Sequence, residues 1–231
     1  MFPPRIAQEA SRVLPPETPH SFARRRLPLP LAALAIVAWL CSTGYAADVV
    51  EIEEHWELSV GEPDAASSSP QISMVMSPTG DLEGDYFVFT LNHRSDPEWI
   101  PGGMQVQRWY GDEIEESRVG PSEGALHHTG ELIRWVQRTK LSEGSLIYEV
   151  DSGESQTWGS FGAAGHLRFA VSTQLAALNE YRPAISLEES GVSFAGNRVA
   201  SLVLRKLRWR DAQGQVYELN APIDVDADID P

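Results

Sequence analysis

The chain has 231 residues, of which 33 are acidic and 18 basic, and its formal net charge at pH 7 is −15. A hydrophobic fraction of 42% excludes an intrinsically disordered chain, and 18 glycines with 16 prolines exclude a collagen-like one. The negative charge argues against nucleic acid as a partner, because phosphate binding draws on lysine and arginine.

The first 46 residues have the three parts of a secretory signal peptide. The arginines at 24–26 precede an apolar run over 31–40, and Gly44 and Ala46 supply small residues for cleavage before Ala47. An uncleaved membrane anchor is the alternative, but it needs about 20 apolar residues and two prolines shorten this run. We therefore predict that 1–46 is a signal peptide, and that the mature chain is secreted or periplasmic and does not associate with the membrane.

The single cysteine, Cys41, lies inside this predicted signal. Leu40 precedes it, whereas a lipoprotein signal has a small residue there, so we do not expect a lipid anchor. A mature chain without cysteine excludes thiolate zinc sites, iron–sulfur clusters and cysteine nucleophiles.

Alternation of apolar and polar residues with period two dominates the chain after Ala47. Between Val50 and Val60, most even positions are apolar and most odd positions are acidic, as in a strand with one solvated face. The stretch 85–93 is apolar on both faces, which indicates a central strand. Seven further stretches have strand patterns: 72–76, 104–110, 132–139, 145–151, 166–173, 198–210 and 215–219.

Helical periodicity is confined to 174–181, where Pro183 stops it. Residues 111–131 form the largest polar interval, and no repeat or long linker divides the chain. We predict an all-β fold, a β-sandwich or jelly roll, that forms one domain over 47–231 with an acidic tail from about residue 222.

Most catalytic motifs are missing from this sequence. It has no H-x-H, H-E-x-x-H or G-x-S-x-G pattern, and the glycine-rich loop 158–165 lacks the lysine of a phosphate-binding loop. A pair of carboxylates for hydrolysis can always be found in so acidic a chain, so their presence has no specificity. A secreted, carboxylate-based hydrolase therefore stays open as an alternative.

Three aromatic residues are candidates for stacking on a neutral ligand. Trp99 lies in the turn 96–103, and Trp158 and Tyr181 fall in other predicted loops. Loops on a rigid β scaffold are a usual place for binding. The alternative for each of the three is a half-buried plug of the core.

Aspartates alternate along the end of the chain, at Asp224, Asp226 and Asp228. In an extended conformation their carboxylates would share one side, which is a possible Ca²⁺ site. The alternative is a solvated tail, and the sequence predicts no other cofactor.

The loop 157–162 (TWGSFG) and the stretch from Gly191 to Leu204 resemble exported β-sandwich proteins of planctomycete-type bacteria. This resemblance implies export and a β fold, and it implies no reaction and no site residues.

Together these observations favour an exported, non-catalytic β-sandwich module that binds a neutral glycan or an extracellular protein. A carboxylate-based hydrolase and a purely structural surface protein are the alternatives.

Overall fold

The computed structural model describes residues 47–62, 70–93, 103–120, 126, 128–163, 165–193, 198–220 and 222–225. The predicted signal peptide lies outside these ranges. Within them the chain forms strands, a 3₁₀ turn at Gly165–Leu167 and the helix α1 at Pro183–Glu189. The strands are β1 (Val49–Val60), β2 (Gln71–Met76), β3 (Asp85–His93), β4 (Gly103–Tyr110), β5 (Glu113–Gly120), β6 (Leu132–Ser142), β7 (Ser145–Ser155), β8 (Gly159–Phe161), β9 (Arg168–Ser172), β10 (Gly191–Ser193), β11 (Val199–Asp211), β12 (Val216–Leu219) and β13 (Ile223–Asp224).

These strands form two antiparallel sheets. The eight-stranded sheet has the order β12-β11-β1-β6-β7-β8, with β13 also paired to β11 and β9 also paired to β7. The five-stranded sheet has the order β10-β2-β3-β4-β5. The all-β prediction is confirmed, and the two sheets form a β-sandwich.

The core lies between the two sheets and is closed by aromatic pairs that join them. Phe87 of the small sheet stacks on Tyr148 of the large sheet, with ring centroids 4.6 Å apart. Phe89 meets Trp135 edge-on at 6.1 Å. Offset and edge-to-face arrangements are the favoured geometries for buried rings, so these contacts fix the two sheets against each other.

Several elements agree with the sequence pattern. The strand predicted over 50–60 is β1, and its even-numbered side chains from Ile52 to Val60 are buried. The strand predicted from two apolar faces is β3, which is the middle strand of the small sheet. The predicted hairpin turn after Asp211 joins β11 to β12.

The structure differs from what the sequence pattern indicated in two places, each for a physical reason. The polar interval 111–131 contains β5, an edge strand whose side chains are mostly exposed, so it lacks the alternation that reveals a half-buried strand. The segment 174–181 is not helical, because its backbone binds β1: the Leu178 N–H donates to the Val49 carbonyl at 2.7 Å. The helix starts later, with Pro183 in its first turn, where the missing N–H costs nothing.

In the described ranges, no helix combines the length and the apolar character needed to cross a membrane.

Candidate functional site on the outer face of the five-stranded sheet

The outer face of the small sheet follows from the alternation along β3. Phe87, Phe89 and Leu91 point into the core and are 0% exposed, so Tyr86, Val88 and Thr90 point outward. Strand register extends the outward set across β2, β4 and β5. We call these eleven side chains the neutral face: Ser73, Val75, Tyr86, Val88, Thr90, Gln105, Gln107, Trp109, Ile114, Ser117 and Val119.

The neutral face carries no charge, although the chain has 33 acidic and 18 basic residues. Glu115 is the extra residue where the β4–β5 register slips, two positions from Ser117 and next to Ile114, so its exposed carboxylate lies at the border of the neutral face. Acidic residues lie at the rim of this face. The pKa of Tyr86 is raised mainly by burial, and the nearby negative charges of Asp112 and Glu189 raise it further. The face is therefore an uncharged strip with an acidic border.

Two aromatic rings form the row at one end of the neutral face, where Trp109 is half-buried and Tyr86 is 9% exposed. Tyr86 and Trp109 are cross-strand neighbours whose rings stack with centroids 5.9 Å apart and planes 15° apart. Ile114 continues the row on β5 and is 50% exposed. The Nε1 of Trp109 has no hydrogen-bond partner among the described residues.

Hydroxyl and amide groups accompany the rings on the same face. The hydroxyls of Ser73 and Thr90 are 3.2 Å apart across β2 and β3. The Gln105 amide donates to the Ser117 hydroxyl at 3.0 Å across β4 and β5. Gln107, half-buried, lies between these pairs and the aromatic row. Such groups can both donate and accept hydrogen bonds.

This arrangement suits a ligand that is flat on one side and rich in hydroxyls. Aromatic rings pack against apolar ligand faces, while a few placed polar groups give orientation. Because the face carries no charge, it gives a charged ligand no ion pair. The geometry is that of an open strip rather than a closed pocket.

The residues selected from the sequence lie elsewhere. Trp99 is outside the described residues. Trp158 is half-buried at the edge of the core, where its ring meets Phe161 edge-on at 6.4 Å. Its loop is fixed by Glu131, whose carboxylate accepts hydrogen bonds from the backbone N–H and hydroxyl of Thr157 at 2.8 and 2.6 Å.

Tyr181 does not occupy the accessible loop position that we expected. It is 6% exposed, and its hydroxyl donates to Glu54 at 2.6 Å in the interior. Glu54 is 0% exposed and also accepts hydrogen bonds from Ser186 at 2.5 Å and from the Trp56 indole at 3.0 Å. Burial raises the pKa of Glu54. This cluster anchors α1 and the preceding segment to β1.

The predicted calcium site is only partly described. Asp224 lies in β13, where one carboxylate oxygen accepts a hydrogen bond from the Leu202 backbone at 3.1 Å. Asp226 and Asp228 lie outside the described residues. Among the residues that are described, no group of three His, Cys, Asp or Glu side chains could hold a metal ion.

The members of the neutral face were not predicted from the sequence, because they lie on strands and the aromatic candidates were expected in loops. Tyr86 and Trp109 lie on strands that were predicted, and Tyr86 was even assigned to a second apolar face. The linear pattern does not contain the register between β3 and β4, and this register is what makes the two rings neighbours.

Comparisons with known proteins add a distant structural similarity. No family model and no curated protein matches this chain. The fold is similar to that of SCP-B, a member of the eqolisin family of peptidases solved in a complex with the tripeptide Ala-Ile-His. The match has a TM-score of 0.26 and 9% sequence identity, and it covers 76% of this chain and 81% of that one.

Proposed function

We propose that this protein is an exported, non-catalytic β-sandwich module that binds a neutral polysaccharide on its neutral face. One observation carries the proposal: the eleven described side chains of the neutral face include stacked aromatics, amides and hydroxyls and no charged group, in a chain whose net charge is −15. A solvated face of so acidic a chain would be expected to carry carboxylates, as the outer face of the large sheet does.

The ligand class follows from the chemistry of the face. Sugar rings have an apolar side that stacks on aromatic rings and an edge of hydroxyls that pairs with amides. Anionic polymers are disfavoured, because the acidic rim near Tyr86 would repel them. An extended chain of neutral sugars suits an open strip better than a small closed ligand would.

Retention of the purified protein on insoluble neutral polysaccharides, with calcium and with chelator, tests the proposal. We expect retention on at least one glycan, and Trp109→Ala should weaken it about tenfold, the effect of losing roughly 1.4 kcal/mol of stacking. Tyr110→Ala is the matched control, because Tyr110 is 56% exposed and the alternation of β4 turns it away from the neutral face. Calcium dependence would instead point to the aspartate tail.

A second variant covers the case in which Trp109→Ala fails to fold. Ser117 is exposed and lies in the middle of the edge strand, so Ser117→Arg places a long side chain across the neutral face with little effect on the core. Loss of retention in both variants, with unchanged thermal unfolding, supports the site. No retention of the wild-type protein, or release of reducing ends from the glycan, would overturn the proposal, and reducing ends would favour the hydrolase alternative.

A further inference from the structure

The outer face of the large sheet carries a row of alternating charges. Strand register places six charged residues side by side on six neighbouring strands, one per strand. We call this row the charge ladder, and its members in order from β9 to β12 are Arg168, Glu149, Arg138, Glu53, Arg208 and Glu218.

The centre of the ladder is held by ion pairs within the chain. Arg138 contacts Glu53 at 2.9 Å and Glu149 at 2.6 Å, and Arg208 contacts Glu53 at 2.9 Å. The side chain of Glu53 is only 5% exposed, whereas the terminal residues Arg168 and Glu218 are 45% and 43% exposed. Arg168 and Glu218 have ion-pair partners of their own in Glu149 at 3.7 Å and Lys206 at 3.4 Å, yet their exposure leaves the ends of the ladder accessible to a second molecule.

Because the ladder has six residues of alternating charge, the same row read in the opposite direction has the opposite charge at every position. A two-fold axis parallel to the strands, between β1 and β6, exchanges β1 with β6, β11 with β7 and β12 with β9. In a second copy related by this axis, Arg168 faces Glu218, Glu149 faces Arg208 and Arg138 faces Glu53. Every residue of the ladder then faces the opposite charge, as an isologous interface requires.

The neighbouring rows obey the same symmetry. Lys140 and Glu51 are cross-strand partners on β6 and β1, as are Arg134 and Glu57, so each faces its opposite charge after the rotation. In the row of His55 and Val136, the charged residues are Lys206 on β11, paired with His55, and Asp151 on β7, paired with Val136. The rotation exchanges β11 with β7, so Lys206 of one copy faces Asp151 of the other.

The face also collects much of the positive charge of the chain. Eight of its 18 basic residues lie here, although the chain as a whole is strongly acidic. They are Arg134, Arg138, Lys140, Arg168, Arg205, Lys206, Arg208 and Arg210. Acidic copies of this chain repel each other elsewhere, so this face is where two copies can approach.

We propose that the charge ladder and its flanking rows form a homodimer interface with a second copy of this chain. The area of this interface limits the affinity of the dimer. Six strands span about 24 Å, and six residues along a strand span about 20 Å. That gives roughly 1,000 Å² for the two copies together, at the lower limit of specific interfaces. The dimer is therefore weak and sensitive to salt, since most of the outer charges are screened by ions.

Such a dimer would leave the neutral faces of the two copies on opposite outer sides. If the proposed function holds, the dimer could engage two glycan chains, and avidity would exceed the affinity of one copy. The interface itself does not depend on that function.

Sedimentation velocity of the purified protein over a concentration series tests the interface. We expect dimers at about 50 mM salt that dissociate at about 500 mM. Arg168→Glu and Glu218→Arg should each weaken the dimer about tenfold, because each places two like-charged contacts across the two-fold axis. The double variant should restore it.

This rescue distinguishes an interface from a role within one chain. Arg168 and Glu218 lie on β9 and β12, five strand spacings or about 24 Å apart, so they can compensate each other only between copies. Arg182→Glu, at an exposed position of another surface, makes the same change of charge and is the control. A wild-type protein that stays monomeric at low salt, single variants that dimerise like the wild type, or a double variant that is not rescued would each overturn the proposal.

Discussion

Tyr181 and Glu54 are 127 residues apart in the chain, yet the Tyr181 hydroxyl donates a 2.6 Å hydrogen bond to the Glu54 carboxylate inside the sandwich. Both side chains are buried, and Ser186 on α1 donates to the same oxygen of Glu54. A buried carboxyl without donors would cost several kcal/mol. The cluster therefore explains why α1, a helix of only seven residues, holds its place.

Removing the Tyr181 hydroxyl should destabilise the protein, and the effect should depend on pH. Burial raises the pKa of Glu54, so its contribution to stability is full below about pH 4.5 and is lost as the pH rises through the raised value. Tyr181→Phe removes a donor that favours the carboxylate. We expect a loss of about 1–3 kcal/mol that grows with pH, measured by urea unfolding between pH 4 and pH 9.

Tyr217→Phe is the matched control for this prediction, because Tyr217 is 42% exposed and its hydroxyl contacts Asp211 at 3.2 Å. It should leave the free energy of unfolding nearly unchanged. A loss in Tyr181→Phe that is equal at all pH values would contradict the role given to Glu54.

Glu53 should show the opposite dependence on pH. Its pKa is lowered, first by the His55 imidazole, whose Nε2 lies 3.4 Å from the carboxylate, and then by Arg208 and Arg138, which together outweigh its burial. A lowered pKa contributes stability above the unfolded value of about 4.5 that is lost as the pH falls. Glu53→Gln should therefore cost about 2–4 kcal/mol at pH 7 and progressively less as the pH falls below about 4.5, as measured by chemical unfolding at pH 7, 4 and 2.5.

Exposed Glu62, replaced by Gln, is the control for Glu53→Gln and should change the stability little at any of these pH values. If Glu53→Gln lost as much stability at pH 2.5 as at pH 7, the ion pairs at the centre of the charge ladder could not be the source of the effect.

Two glycines allow a test of a close backbone approach. Gly80 and Gly144 have positive φ angles of 71° and 73°, so alanine is strained at both. A Cβ at Gly80 would collide with the Glu180 carbonyl, whereas at Gly144 nothing lies within 4 Å. Gly144→Ala should cost about 1 kcal/mol and Gly80→Ala at least twice as much, compared by thermal unfolding. Equal losses would show that the turn at Gly80 is not pressed against the segment 180–182.

Trp158 should be needed for stability and not for glycan binding. Its ring packs against the core and Phe161, and its loop is fixed by hydrogen bonds to Glu131, the residue before β6. We expect Trp158→Ala to lower the free energy of unfolding by about 2–4 kcal/mol and to leave retention on polysaccharide unchanged. Loss of retention with intact stability would return Trp158 to the ligand-binding role predicted from the sequence.

Sequence patterns predicted most of the strands but not the whole sheet. β1 and β3 were found because alternation of apolar residues records which face is buried. β5 was not predicted because it is an edge strand with mostly exposed side chains, and such a strand does not need alternating apolar residues. The segment 174–181 was misread because apolar residues spaced as on a helix also suit an irregular segment whose backbone pairs with β1.

The sequence by itself determined the fold class, the acidic character and the polar and apolar faces of single strands. These properties depend on composition and on local periodicity, which a linear pattern contains. The tertiary structure alone decided that Tyr86 stacks on Trp109, that Tyr181 reaches Glu54, and that six charges form one alternating row. Those relationships depend on strand register between distant segments, and a shift of one residue would turn every side chain to the other face.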